Sequence, residues 1–150
     1  MVGAVIVAHS SIGKQLIATA EYVVGKIEGI TAVSISCETN LFEVRKSISQ
    51  AMKQVDQGDG VLLLTDLFGG SPCNIAFSFL NNEKVEVVTG ANLPMILTFW
   101  NKRANSTLQE IARYMQLSGT RGIVRTRDSM EAKSAFGRGI RKRDKRLSQK

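Results

Sequence analysis

Two four-residue runs, Val5-Ile6-Val7-Ala8 and Val61-Leu62-Leu63-Leu64, contain nothing but apolar side chains. They are too short for helices and too uniform for strands wetted on one face, so they predict strands buried on both faces. Such strands belong to a parallel sheet, because each parallel neighbour requires a crossover that lays a helix on the sheet. The intervening sequence supplies those crossovers. Ile12, Leu16, Ala20, Val23, Val24 and Ile27 recur at helical spacing, predicting a helix over about residues 11–27, capped by Ser10 or Ser11 and ended by Gly29. Residues 30–36 alternate and are β-branched, which predicts a second strand, here after the one at residues 3–8. Leu41, Val44, Ile48, Met52 and Val55 stripe a second helix that begins after Asn40 and closes at Gly58 to Gly60.

The third strand, Val61 to Leu64, runs into Thr65-Asp66-Leu67-Phe68-Gly69-Gly70-Ser71-Pro72. There Ser71 is the expected cap and Pro72 the first residue of a helix reaching about Leu80. A fourth strand over Lys84 to Thr89 leads through Gly90-Ala91-Asn92-Leu93-Pro94 into helices at about 94–102 and 106–117, the latter followed by Gly119. Ile123-Val124 is a candidate edge strand. The predicted fold class is α/β: a three-layer open sandwich with a mostly parallel central sheet of four strands plus a C-terminal edge strand, and helices on both faces.

Charge separates this domain from its end. The formal net charge is +7, yet residues 138–150 hold seven basic side chains against the single acid Asp144, leaving residues 1–137 nearly neutral. The expected division is a domain over 1–127 and a basic, flexible tail over 128–150, able to hold nucleic acid, anionic lipid or an acidic partner if it is more than a solvated end. Cys37 and Cys73 form no CxxC pair and have no histidine nearby, so they suggest neither a zinc site nor a disulfide framework. No window approaches the roughly 18 apolar residues of a membrane span, and the N-terminus lacks a basic leader, so a soluble, cytoplasmic protein without membrane insertion is expected.

The chemistry-bearing residues fall at strand ends. His9, the only histidine, follows the first strand, and Asp66 follows the third. In open α/β sheets, ligands bind at the C-terminal edge, and the first and third strands of a doubly wound sheet are often neighbours. A neutral imidazole is nucleophilic through its unprotonated nitrogen, and a carboxylate on the other N–H fixes the tautomer and stabilises developing positive charge. Asp66 is the natural orienter for His9. The Gly69-Gly70-Ser71-Pro72 turn offers backbone N–H groups and a hydroxyl, and Ser10 or Ser11 a further hydroxyl, for phosphoryl oxygens. The Walker-type and dinucleotide glycine patterns are absent, which argues against a nucleotide kinase or a Rossmann dehydrogenase.

These residues also carry a resemblance. Val5-Ile6-Val7-Ala8-His9, Leu64-Thr65-Asp66-Leu67-Phe68-Gly69-Gly70-Ser71-Pro72-Cys73-Asn74 and Gly90-Ala91-Asn92-Leu93-Pro94-Met95 resemble the mannose/fructose-type IIA component of the bacterial phosphoenolpyruvate-dependent sugar phosphotransferase system, over about residues 2–125. The resemblance implies a phosphotransferase component that accepts a phosphoryl group from phospho-HPr on His9 and passes it to a IIB protein, with Asp66 orienting the ring and Ser71, Gly69, Gly70 and Ser10 around the phosphate. It implies no metal or organic cofactor, and a homodimer whose interface includes a C-terminal edge strand. The serines after His9, where glycine is familiar, are similar instead to the phosphocarrier subunit of the dihydroxyacetone kinase system. A different class of function stays open: a regulatory binding module whose phosphorylation state controls a partner held by the tail, without a dedicated sugar transporter. An anion-binding domain with no covalent chemistry is a third reading.

Overall fold

A computed structural model describes residues 1–36 and 40–127. Cys37 and the basic segment 128–150 lie outside the described residues. Two compact units are distinguished, Met1–Thr120 and Arg121–Lys150, and the first carries the fold, apart from Arg121, the last residue of its final helix. Its elements are β1 (Gly3–His9), α1 (Ile12–Val24), β2 (Ile30–Ile35), α2 (Leu41–Val55), β3 (Val61–Thr65), α3 (Ser71–Phe77), β4 (Val85–Thr89), α4 (Leu93–Lys102) and α5 (Leu108–Arg121). The strands lie in the order β2-β1-β3-β4, and every pair is parallel. β1 is central, as its uninterrupted apolar run requires, and Val5 stands opposite both Thr31 and Leu63.

Alternate residues of the central strands feed separate cores. Ala4, Ile6, Ala8, Leu62 and Leu64 pack with Ala20, Met95, Ile96, Phe99, Ile111 and Met115 beneath α1, α4 and α5. Val5, Val7, Val61 and Leu63 pack with Val44, Ile48, Val55 and Ala76 beneath α2 and α3. The small side chains on the first face admit a close approach by α1: a Cβ on Gly13 would stand 3.1 Å from both Ala32 Cβ and Ile6 Cγ2. At the other end of β1, a Cβ on Gly3 would overlap the Val55 carbonyl. This alternation places His9, two residues beyond Val7, on the α2–α3 side of the sheet.

Several local expectations are corrected. The edge strand expected at Ile123-Val124 is not formed: the two residues follow α5 without strand structure and are 82% and 61% exposed. A two-residue β-branched run forms too few ladder bonds to offset its ordering cost. Ser11 occupies the N-cap of α1 but its side chain makes no capping bond. Ser71 is the first residue of α3, not its cap; that position is Gly70, whose carbonyl accepts from Asn74 N at 3.0 Å. α1 stops at Gly25, where φ is +83°, and Gly29 serves another purpose: a side chain there would collide with the guanidinium of buried Arg103. α3 ends at Phe77, three residues before the expected Leu80, and Gly119 is buried inside α5, where a Cβ would meet Met95 Cγ at 2.8 Å.

Candidate functional site

β1 and β3 are neighbours, so His9 and Asp66 leave the sheet side by side. One oxygen of Asp66, Oδ2, accepts the His9 backbone N–H at 2.9 Å and lies 2.9 Å from His9 Nδ1. A carboxylate only accepts hydrogen bonds, so Nδ1 is the ring nitrogen that holds the proton. In the neutral ring Nε2 then keeps its lone pair, and the backbone contact fixes the imidazole's base as well as its edge. Burial pushes the Asp66 carboxyl up, but the His9 backbone N–H, the ring N–H and the charge of the imidazole together outweigh it and hold the group below its ordinary value. Asp66 is therefore the anionic partner. The His9 side chain is 46% exposed and that of Asp66 only 11%. The acceptor is thus sheltered while the ring remains open to an incoming group.

His9 forms one wall of a cavity of about 200 Å³ that also meets Ser71, Ser36, Leu41, Val44 and Ile75. Each wall has a local cause. Asn40 caps α2 by accepting from Phe42 N at 2.8 Å, which sets Leu41 and Val44 above the end of β1. Gly69, at φ +79°, reverses the chain after Asp66, and Gly70 follows close to the imidazole: a Cβ there would lie 3.4 Å from His9 Cε1. That turn delivers Ser71 to the cavity. Of the predicted site residues, His9, Asp66, Gly70 and Ser71 converge. Gly69 shapes the turn without lining the cavity. Ser10 follows His9 with a left-handed φ of 52°, binds Ile35 O through its backbone at 3.0 Å, and does not line the cavity either.

Sequence reasoning did not find Ser36, Leu41, Val44 or Ile75. Only the position of Leu41 immediately after a capping Asn, at the sheet edge shared with His9, hinted at its place. Among the described residues no group of three or more His, Cys, Asp or Glu side chains could hold a metal, and no helix is long and apolar enough to cross a membrane.

The fold and this edge define a class: a parallel α/β domain that presents one carboxylate-oriented histidine at the C-terminal edge of its sheet, beside a glycine turn. The chain belongs to the family described as the PTS system fructose IIA component, whose model matches residues 3–116. Among its relatives, the PTS system fructose-specific EIIA component of Bacillus subtilis is 26% identical over 112 residues, covering 74% of this chain and 77% of that protein. The PTS system mannose-specific EIIAB component of Escherichia coli is 28% identical over 121 residues, 79% of this chain but only 38% of that longer protein. The crystal structure of phosphotransferase system component EIIA from Streptococcus agalactiae superposes with a TM-score of 0.77 at 22% identity, covering 85% of this chain and 99% of that one. Membership makes the protein a phosphotransferase-system component of the phosphoryl-carrier type that serves sugar uptake.

Proposed function

We propose that this protein carries a phosphoryl group on Nε2 of His9, taking it from phospho-HPr and yielding it to a IIB protein. The observation that carries the reading is the double contact of Asp66 Oδ2 with the His9 backbone and Nδ1, both at 2.9 Å. It leaves Nε2 as the nucleophile. As the Nε2–phosphorus bond forms, the donor's bond to phosphorus breaks, and the donor keeps that electron pair. Nδ1 keeps its proton throughout, so the positive charge that develops on the ring is met by the Asp66 carboxylate. Transfer to IIB is the same displacement with His9 as the leaving group. The balance suits a carrier, because nothing is consumed and no proton must be supplied.

Ser71, across the cavity from His9, and the backbone of Gly70 beside the ring receive the phosphoryl oxygens in this account, with Gly69 turning the chain to present them. A homodimer is the assembly the family suggests. The exposed edge of β4 supports it, since an open strand edge with a groove of about 680 Å³ bounded by Phe68, Phe77, Glu86 and Arg113 invites a second chain. The work of such a carrier is done in the cytoplasm. Incubation with phosphoenolpyruvate, enzyme I and HPr tests the central reading. The expected product is an acid-labile phosphoryl adduct that is chased by IIB and is absent from His9→Ala. An adduct that persists in His9→Ala refutes the assignment.

A further inference from the structure

Beside the His9 cavity runs a second groove of about 410 Å³, walled by Leu41, Arg45, Ser71, Asn74, Ile75 and Ser78. Leu41 and Arg45 are one turn apart on α2, and Ser71, Asn74, Ile75 and Ser78 follow helical spacing along α3 and its C-cap. The groove therefore lies between two helices that both start at the sheet edge bearing His9. It shares Leu41, Ser71 and Ile75 with the His9 cavity, so the two form one continuous depression.

Among the described residues Arg45 is the only charged wall of this groove, and it is held in place. Ser78 Oγ donates to Ile75 O at 2.7 Å, which commits its proton and leaves a lone pair that accepts from Arg45 Nη1. The guanidinium carbon stands 4.8 Å from the centroid of the Phe79 ring. Among the described residues no carboxylate pairs with it. One of its five N–H groups is used by Ser78, and a guanidinium already ordered loses less freedom on meeting a partner. Leu41 on this wall and Phe42, the next residue of α2, are 66% and 74% exposed, leaving apolar surface uncovered on the same element as the cation in the way protein interfaces do.

We propose that Arg45 is a docking residue, and that its groove receives a carboxylate side chain of a protein that exchanges the phosphoryl group with His9. The inference rests on the carrier reading above. A single cation flanked by Leu41, Ile75, Ser71 and Asn74 matches a singly charged side chain on an apolar surface. A free phosphate dianion calls for more than one cation and, in this continuous depression, would repel the phosphoryl group on His9. Transfer demands that a partner surface cover His9, so a groove opening from His9 lies beneath that surface.

The test is the concentration dependence of both transfers, from phospho-HPr to this protein and from this protein to IIB, in wild type, Arg45→Lys, Arg45→Gln and Arg45→Glu, each verified as folded by circular dichroism. For at least one partner, KM should rise about tenfold in Arg45→Gln and further in Arg45→Glu, with kcat within twofold and partial recovery in Arg45→Lys. The wild-type KM should rise with salt more steeply than that of Arg45→Gln. KM values within twofold of wild type for both partners in Arg45→Glu would overturn the proposal. So would a loss confined to kcat, which places Arg45 on the phosphoryl group, or saturable binding of inorganic phosphate that Arg45→Gln abolishes, which assigns the groove to a small anion. A wild-type protein that takes up no phosphoryl group refutes the carrier reading and this inference with it, whereas a competent wild type with unaffected variants refutes this inference alone.

Discussion

Replacing Asp66 with Asn preserves the size of the side chain and removes its charge, which isolates the electrostatic part of the site. The amide oxygen is expected to face His9, because the groups it meets there, the backbone N–H and Nδ1–H, both donate. The tautomer is then kept, and what disappears is the attraction between a carboxylate and the positive charge that develops on the ring. A bond of 2.9 Å puts the two charge centres about 4 Å apart, worth roughly 4 kcal/mol at an effective dielectric of about 20. The ring is 46% exposed, so solvent screening reduces this to about 2 kcal/mol. At about 1.4 kcal/mol per decade, the rate constant for phosphoryl uptake should fall about 30-fold. Asp66→Ala, which also frees the ring to rotate, should fall by about a thousandfold. Rapid-quench measurement of acid-labile phosphate under single-turnover conditions reads both numbers. An Asp66→Asn rate within twofold of wild type would refute the argument that Asp66 meets charge on the ring.

The same carboxylate makes stability depend on pH. Its folded-state pKa is depressed, so its contribution is complete above the unfolded-state value and is lost as pH falls through the folded one. Urea midpoints of wild type and Asp66→Asn should therefore differ most near neutrality and converge as pH drops below about 4. Gly3→Ala forces a Cβ onto the Val55 carbonyl and should cost about 3 kcal/mol in urea unfolding. Asn40→Ala removes the acceptor for Phe42 N and should cost about 1 kcal/mol, with a raised KM for transfer because the Leu41 rim loosens.

Much of this architecture was legible in the sequence because β1 and β3 bury both faces. Val5 to Ala8 and Val61 to Leu64 admit little else, and once they are adjacent central strands, His9 and Asp66 must emerge together. The division of those runs between two cores was not legible: Ala4, Ile6 and Ala8 face α1 and α4 while Val5 and Val7 face α2 and α3, yet all are apolar and periodicity cannot separate them. The caps misled for a related reason. Ser11 does stand at the N-cap of α1 but makes no side-chain bond there, and at α3 the extended Gly70 takes the cap in place of Ser71. Leu41 and Arg45 were missed because their places in the His9 cavity and the adjoining groove depend on how α2 and α3 lie across the sheet, a tertiary relation with no local signal, and Ser36 because it follows the β2 residue that pairs with His9. Ile123-Val124 erred the other way, since β-branched composition alone does not supply a neighbouring strand.

In this reading Asp66 holds the proton on Nδ1 and thereby makes Nε2 the phosphoryl acceptor. Nitrogen-15 and phosphorus-31 NMR of the protein phosphorylated through enzyme I and HPr, with its single histidine labelled in the ring, tests it directly. Phosphorus coupled to Nε2, with Nδ1 still protonated, is the expected result. Phosphorus coupled to Nδ1, or an adduct with no coupling to the imidazole at all, would contradict it.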